Sequence, residues 1–253
     1  MFNIVIPDLL GLILISIGVL AYIAFTFLAH RGLKPTLRPL RGYDMLPKQV
    51  GQAIESGGRV HVSLGANSLI GEKAGVTLAG LSILDIASHA SAISDLSPVA
   101  TTADAATLLV AGDFVRRAYR QKGTLERYES TAARLVALDP IALAGGATSV
   151  VADDDVRANV LIGSFGPEVA LIAEAGERHG ISQTIGSDRL EAQAVGYVMA
   201  DQALIGEEMF VARAYLTEDS AAIGSLIALD ILRWIIAGII AVGAVLQTFG
   251  LLR

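Results

Sequence analysis

The chain of 253 residues contains no cysteine, so it can form no disulfide framework, thiolate metal site or cysteine nucleophile. Charge is scarce as well: Asp, Glu, Lys and Arg make up 17% of the residues, and the formal net charge is −6. Without a general basic footprint, and with only 6% aromatic residues scattered along the chain, nucleic acid is not an expected partner. The familiar catalytic constellations are missing too. There is no G-x-S-x-G elbow. His30, His61, His89 and His179 show no metal-ligand spacing, and the consecutive Asp153, Asp154 and Asp155 cannot all face one cation, which makes a solvated turn the simpler reading.

What the chain has in excess is apolar residues, 53% of the total, with a mean hydropathy of +0.57. The excess lies at the two ends. Leu9 to Ala29 (LLGLILISIGVLAYIAFTFLA) carries no charge and is long enough for a transmembrane helix, since about 20 residues cross the hydrocarbon core. No Lys or Arg precedes it and FLAHRG is a poor cleavage site, which argues against a signal peptide. Trp234 to Leu252 forms the second run, with Arg233 and Trp234 suited to the headgroup level and Asp230 placed to pair with Arg233. Small residues fall on one face of each run: Gly11, Gly18 and Ala21 in the first, Ala237, Ala241, Ala244 and Thr248 in the second. These could bring the spans against each other or against other subunits, although neither span has G-x-x-x-G spacing. No embedded Asp, Glu, Lys or His suggests a proton or ion path.

Arg31, Lys34, Arg38, Arg41 and Lys48 follow the first span closely, and the positive-inside rule then predicts a cytoplasmic middle domain with both termini outside. The expected organisation is a first span over 1–30, a basic, proline-bearing linker over 31–44, an α/β domain over 45–225 and a second span over 226–253. The expected location is the inner (cytoplasmic) membrane of a bacterium.

Between the spans, strand and helix patterns alternate. Period and capping signals predict a helix over Pro47–Ser56, strands over Arg59–Gly65 and Ser97–Thr102, and a long helix over Leu69–Ile93. Asp104 is placed to cap a helix that runs to Gly123, with Arg116, Arg117, Arg120 and Lys122 suiting its dipole. Ala132–Asp139 reads as a strand, and Pro140 to Asp155 fits helix or strand. Val156–Gly166 is the clearest strand, leading to Pro167 at the first position of the next helix, and Ile181–Ser187 is another. Asp188 to Leu216 reads as one helical stretch. The alternation implies an α/β, Rossmann-like layered domain with a mainly parallel sheet, flanked by an N-terminal and a C-terminal transmembrane helix.

In such sheets ligands bind beyond the carboxyl ends of the strands, where Gly65, Asp104, Asp139, Gly163 to Gly166 and Ser187 should gather. The turn Gly163, Ser164, Phe165, Gly166 is the candidate anion or ligand turn, because free backbone N–H groups point outward at a helix start. It is neither G-x-G-x-x-G nor a P-loop, Pro167 removes a donor, and Glu168 places negative charge where an anion would sit. Glu207 and Glu208 read as the acidic start of a helix rather than a catalytic pair. Leu-Ile-Gly recurs at Leu69, Leu161 and Leu204, but at unequal spacing, so there is no repeat array.

The segments RGYDMLPKQVGQAIESGGRVHVSLG, LIGSFGPEVALIAEAG and ADQALIGEEMFVARAYL resemble a bacterial membrane protein family with a domain of unknown function, over roughly residues 40 to 220. The resemblance implies membrane association around an α/β core and supplies no catalytic residue. Two classes of function are expected. One is a non-enzymatic, membrane-anchored structural or assembly subunit, with the lipid bilayer, copies of itself or other membrane-complex subunits as partners. The other is a tethered sensor of a nucleotide or small anion, with no cofactor specified. An enzyme without a familiar motif would need Glu168, Asp104 and His61 to converge in one pocket.

Overall fold

The computed structural model describes residues 6–32 and 36–249, so Lys34 and Pro35 of the basic linker lie outside the described residues. Contacts divide the chain into two units, Arg38–Ala212 and a second made of Met1–Leu37 with Arg213–Arg253.

The first unit is an α/β domain. Strands β1 (Arg59–Gly65), β2 (Val99–Thr102), β3 (Ala133–Leu135), β4 (Val156–Ser164), β5 (Ser182–Ser187) and β6 (Gln202–Leu204) form one sheet in the order β3-β2-β1-β4-β5-β6. Every adjacent pair is parallel. The expected mainly parallel sheet is therefore wholly parallel among the described strands. Such sheets are covered on both faces, and β1 is accordingly buried from Val60 to Gly65. Helix α2 (Arg41–Glu55) and helix α3 (Ala74–Ser91) cover one face, with α4 (Ala105–Lys122) beside α3. On the other face α5 (Pro140–Asp153), α6 (Val169–Arg178) and α7 (Leu190–Met199) close a core that includes Val99, Leu161, Phe165, Ile172 and Ile185.

Several elements differ from the sequence expectation for identifiable reasons. α2 begins at Arg41, ahead of Pro47, which sits inside the helix. A proline there removes one helical hydrogen bond, but Tyr43, Leu46, Val50 and Ala53 form a buried stripe that offsets it. α3 begins five residues late: Leu69–Lys73 is loop, with Gly71 at φ 139°, outside the range of helical backbone. β3 shrinks to three residues at the sheet edge. The ambiguous stretch is α5, started by Pro140 behind Asp139, whose carboxylate accepts from the Ile141 and Ala142 N–H groups. Pro167 is not the first helical residue. α6 starts at Val169 after a tight turn in which the Val169 and Ala170 N–H groups donate to Gly166 and Pro167.

The predicted single helix over Asp188–Leu216 divides into α7, strand β6, a 3₁₀ turn over Gly206–Phe210 and α8 (Ala212–Leu216). Asp201 ends α7's run by accepting from the Gln183 N–H at 2.7 Å, and Leu204 is buried between Gly186 and Gly42. Apolar residues at helical spacing concealed the strand.

The second unit holds two helices long and apolar enough to cross a membrane, α1 (Ile6–His30) and α9 (Ser220–Thr248). At about 1.5 Å per residue both exceed a hydrocarbon core of about 30 Å. Only 6% of each apolar window is buried, the reverse of a soluble core helix. The two pack on each other through glycines. A Cβ on Gly224 would lie 2.7 Å from the Thr26 backbone nitrogen, and one on Gly18 would lie 2.7 Å from Leu232 Cδ1. Of the small residues singled out in the sequence, Gly18 therefore serves this contact, whereas Ala237, Ala241, Ala244 and Thr248 are exposed. Asp230 and Arg233 pair at 3.3 Å. Ala29, Ala214 and Ile223 form a small buried cluster in the same unit.

Candidate functional site at the strand ends

With β1 and β4 adjacent at the centre, the chain winds outward through β2 and β3 on one side and through β5 and β6 on the other. The loops after β1 and β4 therefore diverge toward opposite faces at the carboxyl edge, which is where doubly wound sheets hold ligands. Glycine makes this point tight. Gly65, at φ 73°, lies against the Ser164 backbone, and a Cβ on Gly163 would strike the Leu64 carbonyl. In α3, Gly80 lets the helix backbone rest directly on Ile162 and Leu64.

The structure brings Gly65, Gly163, Ser164, Phe165 and Ser187 together. The candidate turn is already satisfied internally: Phe165 N–H donates to Ser187 Oγ at 3.1 Å, the Ser187 hydroxyl donates to Phe165 O, and Gly166 N–H donates to Glu168 Oε1 at 2.6 Å. Phe165 is buried. Glu168 thus occupies the position an anion would take on the Gly166 N–H.

Polar chemistry gathers beside this turn. Lys73, at the end of the β1–α3 loop, pairs with Asp188 at 2.8 Å, crossing from β1 to the end of β5. Partial burial alone would push the Asp188 carboxyl up, but hydrogen bonds from Lys73 and Ser164 and the lysine charge hold it below the usual carboxylate range. Asp104 behaves alike. Burial raises its pKa, and the Thr107 N–H and hydroxyl, the Ser68 hydroxyl and the Ala106 N–H outweigh that and lower it. It caps α4 as expected, with Thr107 N–H donating at 2.7 Å. Two buried atoms in these loops have no hydrogen-bond partner among the described residues, Asn67 Nδ2 and Asp188 Oδ1. Asp139 caps α5 beyond the edge strand instead. Lys73, Asn67 and Asp188 carried no motif; only the strand order reveals them.

The remaining sequence candidates have structural partners. His61 is fully buried in mid-sheet, with Nδ1 2.7 Å from Asn159 Oδ1 and Nε2 2.9 Å from Thr101 Oγ1. The row continues as Asn159 Nδ2 donates to Gln183 Oε1 at 2.9 Å and Gln183 Nε2 donates to the Ala173 carbonyl at 2.8 Å. Burial lowers the His61 pKa to about 4, the Asn159 hydrogen bond only partly opposing it, so the ring is neutral at pH 7. His61 lies four residues before the end of β1, about 13 Å from the edge at the usual strand rise. His61, Asp104 and Glu168 therefore do not converge. His179 Nδ1 and His89 Nδ1 each meet a carbonyl four residues earlier, at 2.8 Å. Asp154 pairs with Arg134 at 2.6 Å, Glu208 with Arg38 at 2.7 Å, and Arg117 stacks on Phe114 at 4.5 Å. Among the described residues no three His, Asp or Glu side chains gather as a metal site.

A doubly wound α/β domain, a polar cluster at its switch point and a glycine-packed pair of membrane-length helices define the class of protein. The chain belongs to the family described as domain of unknown function (DUF6754), whose profile matches residues 3–253. No curated protein and no solved structure matches it.

Proposed function

We propose that the protein is a membrane-anchored assembly subunit, without catalysis, that packs with copies of itself. The observation that supports this reading is the outer face of α7. Leu190, Ala194, Tyr197 and Val198 follow helical spacing on one side of that helix, and Leu190, Tyr197 and Val198 are 78%, 78% and 81% exposed. A large contiguous apolar surface on a soluble domain is characteristic of an interaction site. Arg189 and Glu191, at the start of the helix, pair with each other at 3.7 Å, so the stripe can meet the same stripe of a two-fold related copy without either of these charges being left unpaired. In this reading α1 and α9 span the inner membrane, and the basic residues after α1 hold the α/β domain on the cytoplasmic side.

Mass and shape of the full-length protein, extracted gently from its membrane and measured by light scattering and electron microscopy, test the proposal. An oligomer that dissociates when Tyr197→Asp and Val198→Asp are introduced together is the expected result. A wild-type monomer overturns it.

A further inference from the structure

The loop of residues 66–73 does not simply connect β1 to α3. It lies across the switch point and is fastened on both sides of it. On the β2 side Ser68 lies beside Asp104 and helps to lower its pKa, and on the β5 side Lys73 pairs with Asp188 at 2.8 Å. In between, Ala66 N–H donates to Ser164 O at 3.2 Å and the Thr77 hydroxyl donates to the Asn67 carbonyl at 3.3 Å. Both ends carry glycines in conformations that other residues rarely adopt, Gly65 at φ 73° and Gly71 at φ 139°, and no atom lies within 4 Å of where a Cβ on Gly71 would be. The strap exposes Ile70 (82%), an apolar side chain held out in solvent.

We infer that residues 66–73 form a lid, that the Lys73–Asp188 ion pair is its latch, and that it opens to admit a hydroxylated phosphate at the switch point. The chemistry of the latch selects the ligand. Parting the pair frees an ammonium and a carboxylate at once, so the entering molecule must offer an anion to the first and hydrogen-bond donors to the second. A sugar phosphate or a nucleotide carries both. Asn67 Nδ2, buried without a partner, adds a donor for the anion, and Asp188 Oδ1, likewise without one, adds an acceptor for a hydroxyl. The latch suits reversible opening, because Lys73 is half exposed and such a pair is worth about 1 kcal/mol or less.

Hydrogen exchange by mass spectrometry on the full-length protein in lipid nanodiscs tests this. Lys73→Met and Asp188→Asn should each speed exchange at the hydrogen-bonded amides of Ala66, Ile70 and Ala74 by up to about fivefold, with α6 and β5 unchanged. In the wild type, millimolar ribose 5-phosphate or ADP should slow the same amides, inorganic phosphate should do so less, and Lys73→Met should abolish the effect. Unchanged exchange in both variants overturns the latch. Faster exchange without protection by ribose 5-phosphate or ADP, or equal protection by inorganic phosphate, overturns the ligand assignment. Whether the protein is an oligomer has no bearing on either readout.

Discussion

The α/β domain and the α1–α9 pair both depend on glycine for close backbone approach, yet they secure the result differently. At the switch point Gly65, Gly80 and Gly163 let three backbones touch, and a polar row from Thr101 through His61, Asn159 and Gln183 then fixes which strands lie side by side. In the helix pair Gly224 and Gly18 create contacts of the same closeness, but the neighbouring polar atom, Thr26 Oγ1, has no partner among the described residues. Where water is the alternative, burial supplies the driving force and hydrogen bonds supply the register. In lipid, which is as apolar as the side chains, shape has to supply most of both.

The largest expected effect breaks the domain's side of that comparison. Gly163→Ala places a Cβ 2.8 Å from the Gly65 nitrogen, against backbone on a central strand that cannot rotate away as a side chain would. Overpacking of this kind costs about 3 kcal/mol. For a domain of this size that lowers the melting temperature by roughly 6–12 °C. A shift under about 2 °C in thermal unfolding of the full-length protein would mean that the β1–β4 contact relaxes freely and is not a fixed point of the fold.

Next in size is the pH dependence of the polar row. The His61 pKa is lowered by burial to about 4 from 6.5, so between these values the unfolded chain binds a proton that the folded one refuses. Stability is therefore full above about pH 6.5 and falls as the pH drops toward 4, by about 3 kcal/mol in all. Asp104 and Asp188, whose pKa values are lowered, add a further loss at more acid pH, below the ordinary carboxylate value. Urea titrations of wild type and His61→Gln between pH 4 and 7 separate the two: the variant should be less stable at pH 7 and lose little more on the way to pH 5. A variant with the wild-type slope would remove His61 from the account.

The helical boundaries set by local chemistry were legible in the sequence. Asp104 with Gly123 bounds α4 as expected, and the β-branched alternation of Arg59–Gly65 is β1 residue for residue. What escaped was set by distant partners. β6 is a strand because it pairs with β5, although Ala203 and Leu204 sit at helical spacing, and α2 continues through Pro47 because its far face is buried. The carboxyl-edge site was legible in outline through Gly163 to Gly166. Lys73 and Asp188, 115 positions apart, could not be joined before the strand order was known. The α7 stripe escaped with the helix boundary, since a single predicted helix from Asp188 to Leu216 hides which residues α7 turns outward.

The smallest expected effect sharpens the other side of the comparison. Thr26 meets Gly224 and Gly18 meets Leu232, and the antiparallel register between these contacts sets Tyr22 opposite Ala228 beside an apolar groove of about 420 Å³. The absence of native cysteine makes a Tyr22→Cys, Ala228→Cys pair an unambiguous reporter of that register. Adding Gly224→Val should lower the crosslinking rate several-fold in membranes, a cost of about 1 kcal/mol, because each helix can repack elsewhere in lipid. Gly238→Val, where no atom lies within 4 Å of the added Cβ, should leave the rate unchanged. Equal loss in both variants would mean that bulk anywhere along α9 disturbs the pair, and shape complementarity at Gly224 would not be what holds it.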